Sequence, residues 1–268
     1  MAKRSRKTNK QTIARRQKEG RGQGDGASYK PWLTVQDVSS QGLTHRIKGW
    51  TTGRVHHLFS NLERDAFYIM DWSVDVIDIR EQYPLLPLEE TQAIADQIGV
   101  RHPTDPHTQH AVVMTTDFLV DTRRSQASAQ QARTVKPADQ LDSSRVLEKL
   151  EIERRYWQVR DVDWGIVTEH EIPLVEAANI RLLHGYRDVS GRMADINCLA
   201  EITDFLLRAA KEQSVGEVVT ACDEALHLVS GTARAVLHHL LANRKIRFAL
   251  GEPLTDHALL VVDEEVRS

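Results

Sequence analysis

Residues 115–136 constrain this chain more than any other stretch. They join Thr116-Asp117-Phe118-Leu119-Val120-Asp121 to Arg133-Thr134-Val135-Lys136-Pro137 through a polar linker. Asp117 lies among apolar neighbours, and the second segment alternates, so two extended segments are implied. Residues 111–120 read as a buried strand, 123–132 as a polar turn and 133–136 as the partner strand. A period of two puts Thr134 and Lys136 on one face of that partner. An acid on one strand followed by x-Val-Lys on the next is the skeleton of a metal-dependent nuclease centre. The acid binds the metal, and the lysine orients or activates the attacking water. So short a pattern recurs by chance and needs a second acid upstream, for which Glu63 is the candidate.

Each of these residues also has a plain structural role open to it. Ser60-Asn61-Leu62-Glu63 fits a capping box, with serine at the N-cap and glutamate at N3, opening a helix through Ala66, Phe67, Ile69 and Met70. On local sequence alone, capping is the simpler role for Glu63. Asp117 could be a strand-edge acid and Lys136 a solvent-facing strand lysine.

Strands and helices mix around these positions. Residues 44–55, with Gly49 and Gly53, read as a strand or hairpin, and residues 74–82 alternate as a strand does. Residues 83–87 break that strand, and 89–97 form a short helix ending at Gly99. Residues 101–110 hold His102, Asp105, His107 and His110, but no cysteine is near and no helix face gathers them, so they read as a loop rather than a zinc site. Residues 142–160 are a long helix with a Glu151–Arg155 pair at i,i+4. Glu153 on that helix is solvated or paired, or reaches the site as a supporting acid. Residues 164–168 close the sheet as a buried strand, giving an α/β core over the first 170 residues.

The ends differ from this core. Nine Lys or Arg fall in residues 1–24 against one acid, Glu19; that +8 segment leaves the remainder at −11 within a net −3. Residues 1–28, with four glycines at 20, 22, 24 and 26, read as a flexible basic arm. Arg4, Arg6, Lys7, Lys10, Arg15, Arg16, Lys18 and Arg21 are its candidate DNA-binding residues, the plain alternative being a solubilising tail. Beyond Pro173 the pattern is mostly helical. Ser214-x-x-Glu217 is a second capping box, Gly231 a turn, and residues 232–243 a helix carrying Arg234, His238 and His239. Residues 245–248 and 257–262 then suggest a hairpin, completing the order of a winged helix, a module that binds proteins as well as DNA. Cys198 and Cys222 are expected reduced. With no 18-residue apolar run and no secretory signal, a cytoplasmic protein of bacterial type without a membrane span is expected.

Longer stretches are more specific. Among them are Ile13-Ala14-Arg15-Arg16, Pro31-Trp32-Leu33-Thr34-Val35-Gln36 and Gly53-Arg54-Val55-His56-His57-Leu58. Others are Asp78-Ile79-Arg80-Glu81-Gln82, Thr116–Asp121, Val135-Lys136-Pro137 and Leu147–Trp157. Through these the chain resembles the TnsA family, endonuclease subunits of heteromeric cut-and-paste transposases, over nearly all of residues 13–170. The resemblance implies a restriction-endonuclease-like catalytic domain over residues 29–170 and a winged-helix domain over 171–268. It implies catalytic Glu63, Asp117 and Lys136, and cutting of the non-transferred strands at the 5′ ends of transposon DNA. It also implies two partners: TnsB, a DDE-type transposase subunit, and TnsC, an ATP-dependent regulator bound through the C-terminal domain. The family pattern has a metal-binding glutamine two residues before the lysine, where this chain has Thr134.

The chemistry suits hard oxygen ligands. Mg²⁺, with Mn²⁺ as a substitute, is expected on Glu63 and Asp117. The Val135 carbonyl with water, or Thr134 through water, would complete the shell. Two other readings compete: a non-catalytic nuclease-fold adaptor docking transposase and regulator on DNA, and a winged-helix transcriptional regulator. The second does not account for Glu63, Asp117 and Lys136.

Overall fold

The structure, a computed structural model, describes residues 8–38, 43–124, 127–188, 198–209 and 213–261. It is a mixed α/β chain in two compact units, Met1–Ile172 and Pro173–Ser268.

The first unit opens with α1 (Lys10–Lys18), then β1 (His45–Lys48) and β2 (Val55–Leu58), an antiparallel pair. Helix α2 (Asn61–Trp72) follows, then β3 (Val76–Pro84) and α3 (Leu88–Gln97). The hairpin of β4 (Thr115–Arg124) and β5 (Ala127–Val135) leads to α4 (Ser144–Gln158) and β6 (Asp163–Val167). Four strands make one sheet in the order β3-β4-β5-β6, antiparallel except for the parallel β5–β6 pair. Strand β4 is interior, and Phe118, Leu119 and Val120 are all buried. A continuous apolar run is what a strand covered on both faces requires. Leu119 and Ala132 pack with Ile94 and Ala95 of α3 and Ile152, Tyr156 and Trp157 of α4.

Three expectations need correction here. The stretch 123–132 is not a turn: pairing continues through Asp121–Gln130, Thr122–Ala129 and Arg123–Ser128. Ladder hydrogen bonds are made by the backbone, so polar side chains do not end a strand with a solvated face. Residues 111–114 do not belong to β4; Ala111 forms only an isolated bridge to Thr104. Strand β6 is partly buried rather than buried, because it sits at the sheet edge.

The basic arm is corrected as well. Arg4, Arg6 and Lys7 lie outside the described residues, but residues 10–28 are ordered against the first unit. Asn9 caps α1 by accepting from the Thr12 N–H at 2.8 Å. Arg21 donates to Asp37 at 2.6 Å, and Arg16 lies 3.8 Å from the same carboxylate, with its guanidinium over the Trp32 ring. Asp105 accepts from the Thr8 N–H at 2.7 Å. A positive composition suggested disorder, but Asp37, Trp32 and Asp105 supply partners far along the chain. Asp105 is therefore a loop anchor, as its further bonds from the His107 and Thr108 N–H groups confirm.

The second unit holds α5 (Leu174–His184), α6 (Leu199–Ala209), α7 (Val215–Ala225) and α8 (Thr232–Ala242). A two-residue ladder of β7 (Arg247–Phe248) with β8 (Leu260–Val261) follows. The α7 capping box forms as expected, with Ser214 and Glu217 bonded reciprocally. Ile202, Leu206, Val218, Cys222, Val236 and Leu237 are buried in this unit. Both cysteines are free. Among the described residues no helix is long and apolar enough to cross a membrane.

Candidate active site

The site is built where the end of β5 meets β4 and the start of α2. Asp117 projects from the interior strand and is buried. Its Oδ2 accepts from the Val135 N–H at 2.8 Å and from Lys136 Nζ at 2.9 Å. The same ammonium donates to the Val135 carbonyl at 2.8 Å. Lys136 lies one residue past β5, and its N–H still donates to the Val167 carbonyl of β6 at 3.0 Å. Its pKa is raised: burial works to lower it, and the Asp117 carboxylate outweighs that effect.

Glu63 takes the capping role. Ser60 is the N-cap of α2 and accepts from the Glu63 N–H at 3.0 Å. The Glu63 carboxylate reaches back to the Phe59 N–H at 3.0 Å and the Ser60 hydroxyl at 3.1 Å. Yet it also feels the site. Burial, and then the nearby Asp117 charge, push the Glu63 carboxyl up to about 7, with Lys136 acting in the opposite direction. The cap and a charge beside Asp117 thus fall on one side chain.

Glu153 sits behind the strands on α4 with 3 % of its surface exposed. It accepts from Thr116 Oγ1 at 2.7 Å and from Thr134 Oγ1, and Trp157 Nε1 in turn donates to Thr116 Oγ1 at 2.6 Å. Burial raises its carboxyl to about 7. Thr134 is therefore committed to Glu153 through its hydroxyl proton. A role for Thr134 in holding a water on a metal has to reckon with that bond.

Sequence reasoning gave no role to several residues here. Gln82 donates from Nε2 to Asp117 Oδ1 at 3.3 Å. Next to it Glu81 is fully buried and held by Arg54 at 2.8 and 2.5 Å and by His56 Nδ1 at 2.8 Å. No sequence spacing links positions 54, 81 and 117; β3 and β4 pair in one sheet, and Arg54 reaches Glu81 from just before β2 of another. Of the candidate DNA-binding residues, Lys10, Arg15 and Lys18 are exposed along α1, whereas Arg16 and Arg21 turn inward to Asp37. In the second unit, His238 of α8 is buried edge-on against Tyr186.

Comparison with known proteins decides the family. The model for the TnsA-like endonuclease N terminal matches residues 73–169, and that for the TnsA endonuclease C terminal matches residues 171–250. The Escherichia coli protein "Transposon Tn7 transposition protein TnsA" is 44% identical over 239 residues, covering 88% of this chain and 85% of its own length. The chain belongs to the TnsA family. It is thus a close homologue of a transposition endonuclease subunit. Asp117, Thr134, Val135, Lys136 and Glu153 fall inside the TnsA N-terminal match, while Glu63 precedes it.

Proposed function

We propose that Glu63, Asp117 and Lys136 form a divalent-metal centre that hydrolyses phosphodiesters at the 5′ ends of a transposon, on the non-transferred strands. The observation that carries this reading is the Asp117 carboxylate held between Lys136 and the Val135 N–H, with its charge acting to raise the buried Glu63 carboxyl. Among the described residues no three His, Cys, Asp or Glu side chains form a metal-binding group. A cation here would draw on two carboxylates, the Val135 carbonyl and water, a set of hard oxygen donors that suits Mg²⁺, or Mn²⁺ as a substitute. The fit is also electrostatic. Glu63 beside Asp117 is a buried acid whose ionised form is disfavoured, and a cation would restore it. When bound, such an ion neutralises charge at the phosphate and lowers the pKa of its water.

The chain's own residues would supply the rest. The Val135 N–H and Lys136 fix Asp117. Lys136, kept protonated by that neighbour, can meet developing charge on the phosphate or position the attacking water. Glu153 holds Thr116 and Thr134 on the adjoining strands. The sheet flanked by α2 and α4 supports a restriction-endonuclease-like reading of the first unit. The α7–α8 pair followed by β7 and β8 supports a winged helix in the second, which would dock a regulator of the TnsC kind. A transposase of the TnsB kind would make the 3′ cuts. Exposed Lys10, Arg15 and Lys18 on α1 would meet backbone phosphates of transposon-end DNA.

The test is strand-specific nicking of end-labelled transposon-end DNA in Mg²⁺, with and without the transposase partner. Cuts at the 5′ ends that vanish in Asp117→Ala are expected. Assembly on DNA without any cut by the wild type would favour the adaptor reading.

A further inference from the structure

Gln82 stands out because its backbone and its side chain are both unusual for its place. It lies within β3, yet its φ is +49°, a left-handed conformation that non-glycine residues seldom adopt. Such a conformation persists only where the surroundings over-determine it, and it clusters at functional sites. Here the surroundings are specific. The residue before it, Glu81, is clamped by Arg54, by His56 and by the His57 N–H at 3.1 Å. The Glu81 carbonyl accepts from the Tyr29 hydroxyl at 3.2 Å, and the Gln82 carbonyl accepts from the Trp32 N–H at 3.2 Å.

The side chain is 4 % exposed, and both ends of its amide are used. Oε1 accepts from Thr115 Oγ1 at 3.1 Å, and Nε2 donates to Asp117 Oδ1 at 3.3 Å. A carboxylate only accepts, so the end of the amide that faces Asp117 has to be the N–H end. Asp117 Oδ2 already takes two donors, the Val135 N–H and Lys136. Gln82 is the partner of the other oxygen. Without it, Oδ1 loses its donor and the carboxylate is held through Oδ2 alone.

We infer that Gln82 is a positioning residue, held left-handed within β3 so that its amide fixes the orientation of the Asp117 carboxylate. The inference rests on the nuclease centre proposed above. It assigns Gln82 no contact with substrate; it acts through Asp117.

The backbone gives a test that separates this role from a structural one. Gln82→Gly removes the amide but relieves the left-handed residue, because glycine takes positive φ without steric cost. Gln82→Met keeps length and burial without hydrogen bonds. The glycine variant should melt at or above the wild-type temperature. Both variants should cut transposon-end DNA, with the transposase partner present, roughly 10- to 100-fold more slowly, the scale for partners that orient metal-binding groups. Calorimetric titration of Mg²⁺ alone into the full chain should show binding weakened by a similar factor. Wild type and Asp117→Ala run alongside. A wild type that does not cut, or an Asp117→Ala that does, rejects the centre itself and the inference with it. If those controls behave, and both Gln82 variants cut and bind Mg²⁺ as the wild type does, the positioning role is overturned.

Discussion

Lys136 Nζ bridges Asp117 Oδ2 at 2.9 Å and the Val135 carbonyl at 2.8 Å, so one ammonium ties the acid of β4 to the end of β5. Both partners are oxygens that the proposed cation would draw on. Lys136→Met should therefore reduce cleavage by at least about 100-fold, the lower range for a positioned proton-transfer or charge-stabilising group. The Asp117 carboxylate is buried, so losing its ammonium partner should also cost stability, roughly 1–3 kcal/mol. Nicking rates and thermal melts measured on the same preparation check both halves. Cleavage near the wild-type rate would remove Lys136 from the centre.

Glu153 makes a pH prediction with a definite sign. Burial raises its carboxyl from 4.5 to about 7. The folded state then holds the proton more tightly than the unfolded chain. Its stabilising contribution is complete below about 4.5, and it declines as pH rises, being lost through about 7. At 1.36 kcal/mol per pKa unit the full swing is about 3 kcal/mol. Glu153→Gln keeps an acceptor for Thr116 and Thr134 and removes the titration. Urea midpoints of variant and wild type should converge near pH 4 and separate by pH 8, with the variant more stable. Parallel profiles would contradict this assignment.

Glu81 has the opposite sign. Burial works to raise its carboxyl, but His56 and Arg54 outweigh it and bring it down to about 2 from 4.5. Its contribution is present above 4.5 and lost as pH falls through about 2. Glu81→Ala would strand the Arg54 guanidinium inside the protein, which costs roughly 3–5 kcal/mol for a broken buried pair. Equilibrium unfolding at pH 7 measures this directly.

How much of this was legible in the sequence depended on whether the cause was local. Ser60 and Glu63 announced α2 because the cap spans only four residues, and Glu151–Arg155 formed because helix geometry fixes its spacing. Asp117 and Lys136 were found because β4 and β5 are joined by a short hairpin. The Arg54–Glu81–His56 cluster was not found. Its members come from two different sheets, and only folding brings them together. The ordered N-terminus was missed for the same reason, since Arg16 and Arg21 find Asp37 across a turn that composition does not report. Glu153 was placed on its helix correctly, but its burial depends on the packing of α4 against β4 and β5.

The docked N-terminal helix divides its own charges, and DNA binding should show it. Lys10, Arg15 and Lys18 are exposed, and Arg16 is buried. Replacing the first three with glutamine should flatten the log–log salt dependence of DNA binding by roughly 0.9 per lost phosphate contact. Arg16→Gln should lower the melting temperature and leave that slope alone. A slope that responds to Arg16 and not to the other three would reverse the assignment.

Thr134 decides between two views of the site. If its importance lay in holding a water on a metal, Thr134→Ala would act on cleavage first. The bond to Glu153 predicts otherwise. The hydroxyl proton points to a carboxylate that burial already disfavours in its charged form, and Thr116 is the other hydroxyl donor to that oxygen. Thr134→Ala removes one of the two. The loss should cost about 1.5–3 kcal/mol, the range for a hydrogen bond to a charged group, and more of it at pH 8 than at pH 5, where Glu153 is protonated in the folded chain. Thr134→Ser keeps the donor and should be nearly silent in stability. Thr134→Gln is a different matter. Position 134 is 2 % exposed, so the longer side chain has to displace Glu153 or strain β5. It should destabilise the protein even if its amide reaches the cation and lowers the Mg²⁺ needed for cleavage. Stability against pH and Mg²⁺ dependence of nicking, measured for all three variants, separate the views. A Thr134→Ala protein as stable as wild type at pH 8 but unable to cut would place the threonine hydroxyl at the metal, and not at Glu153.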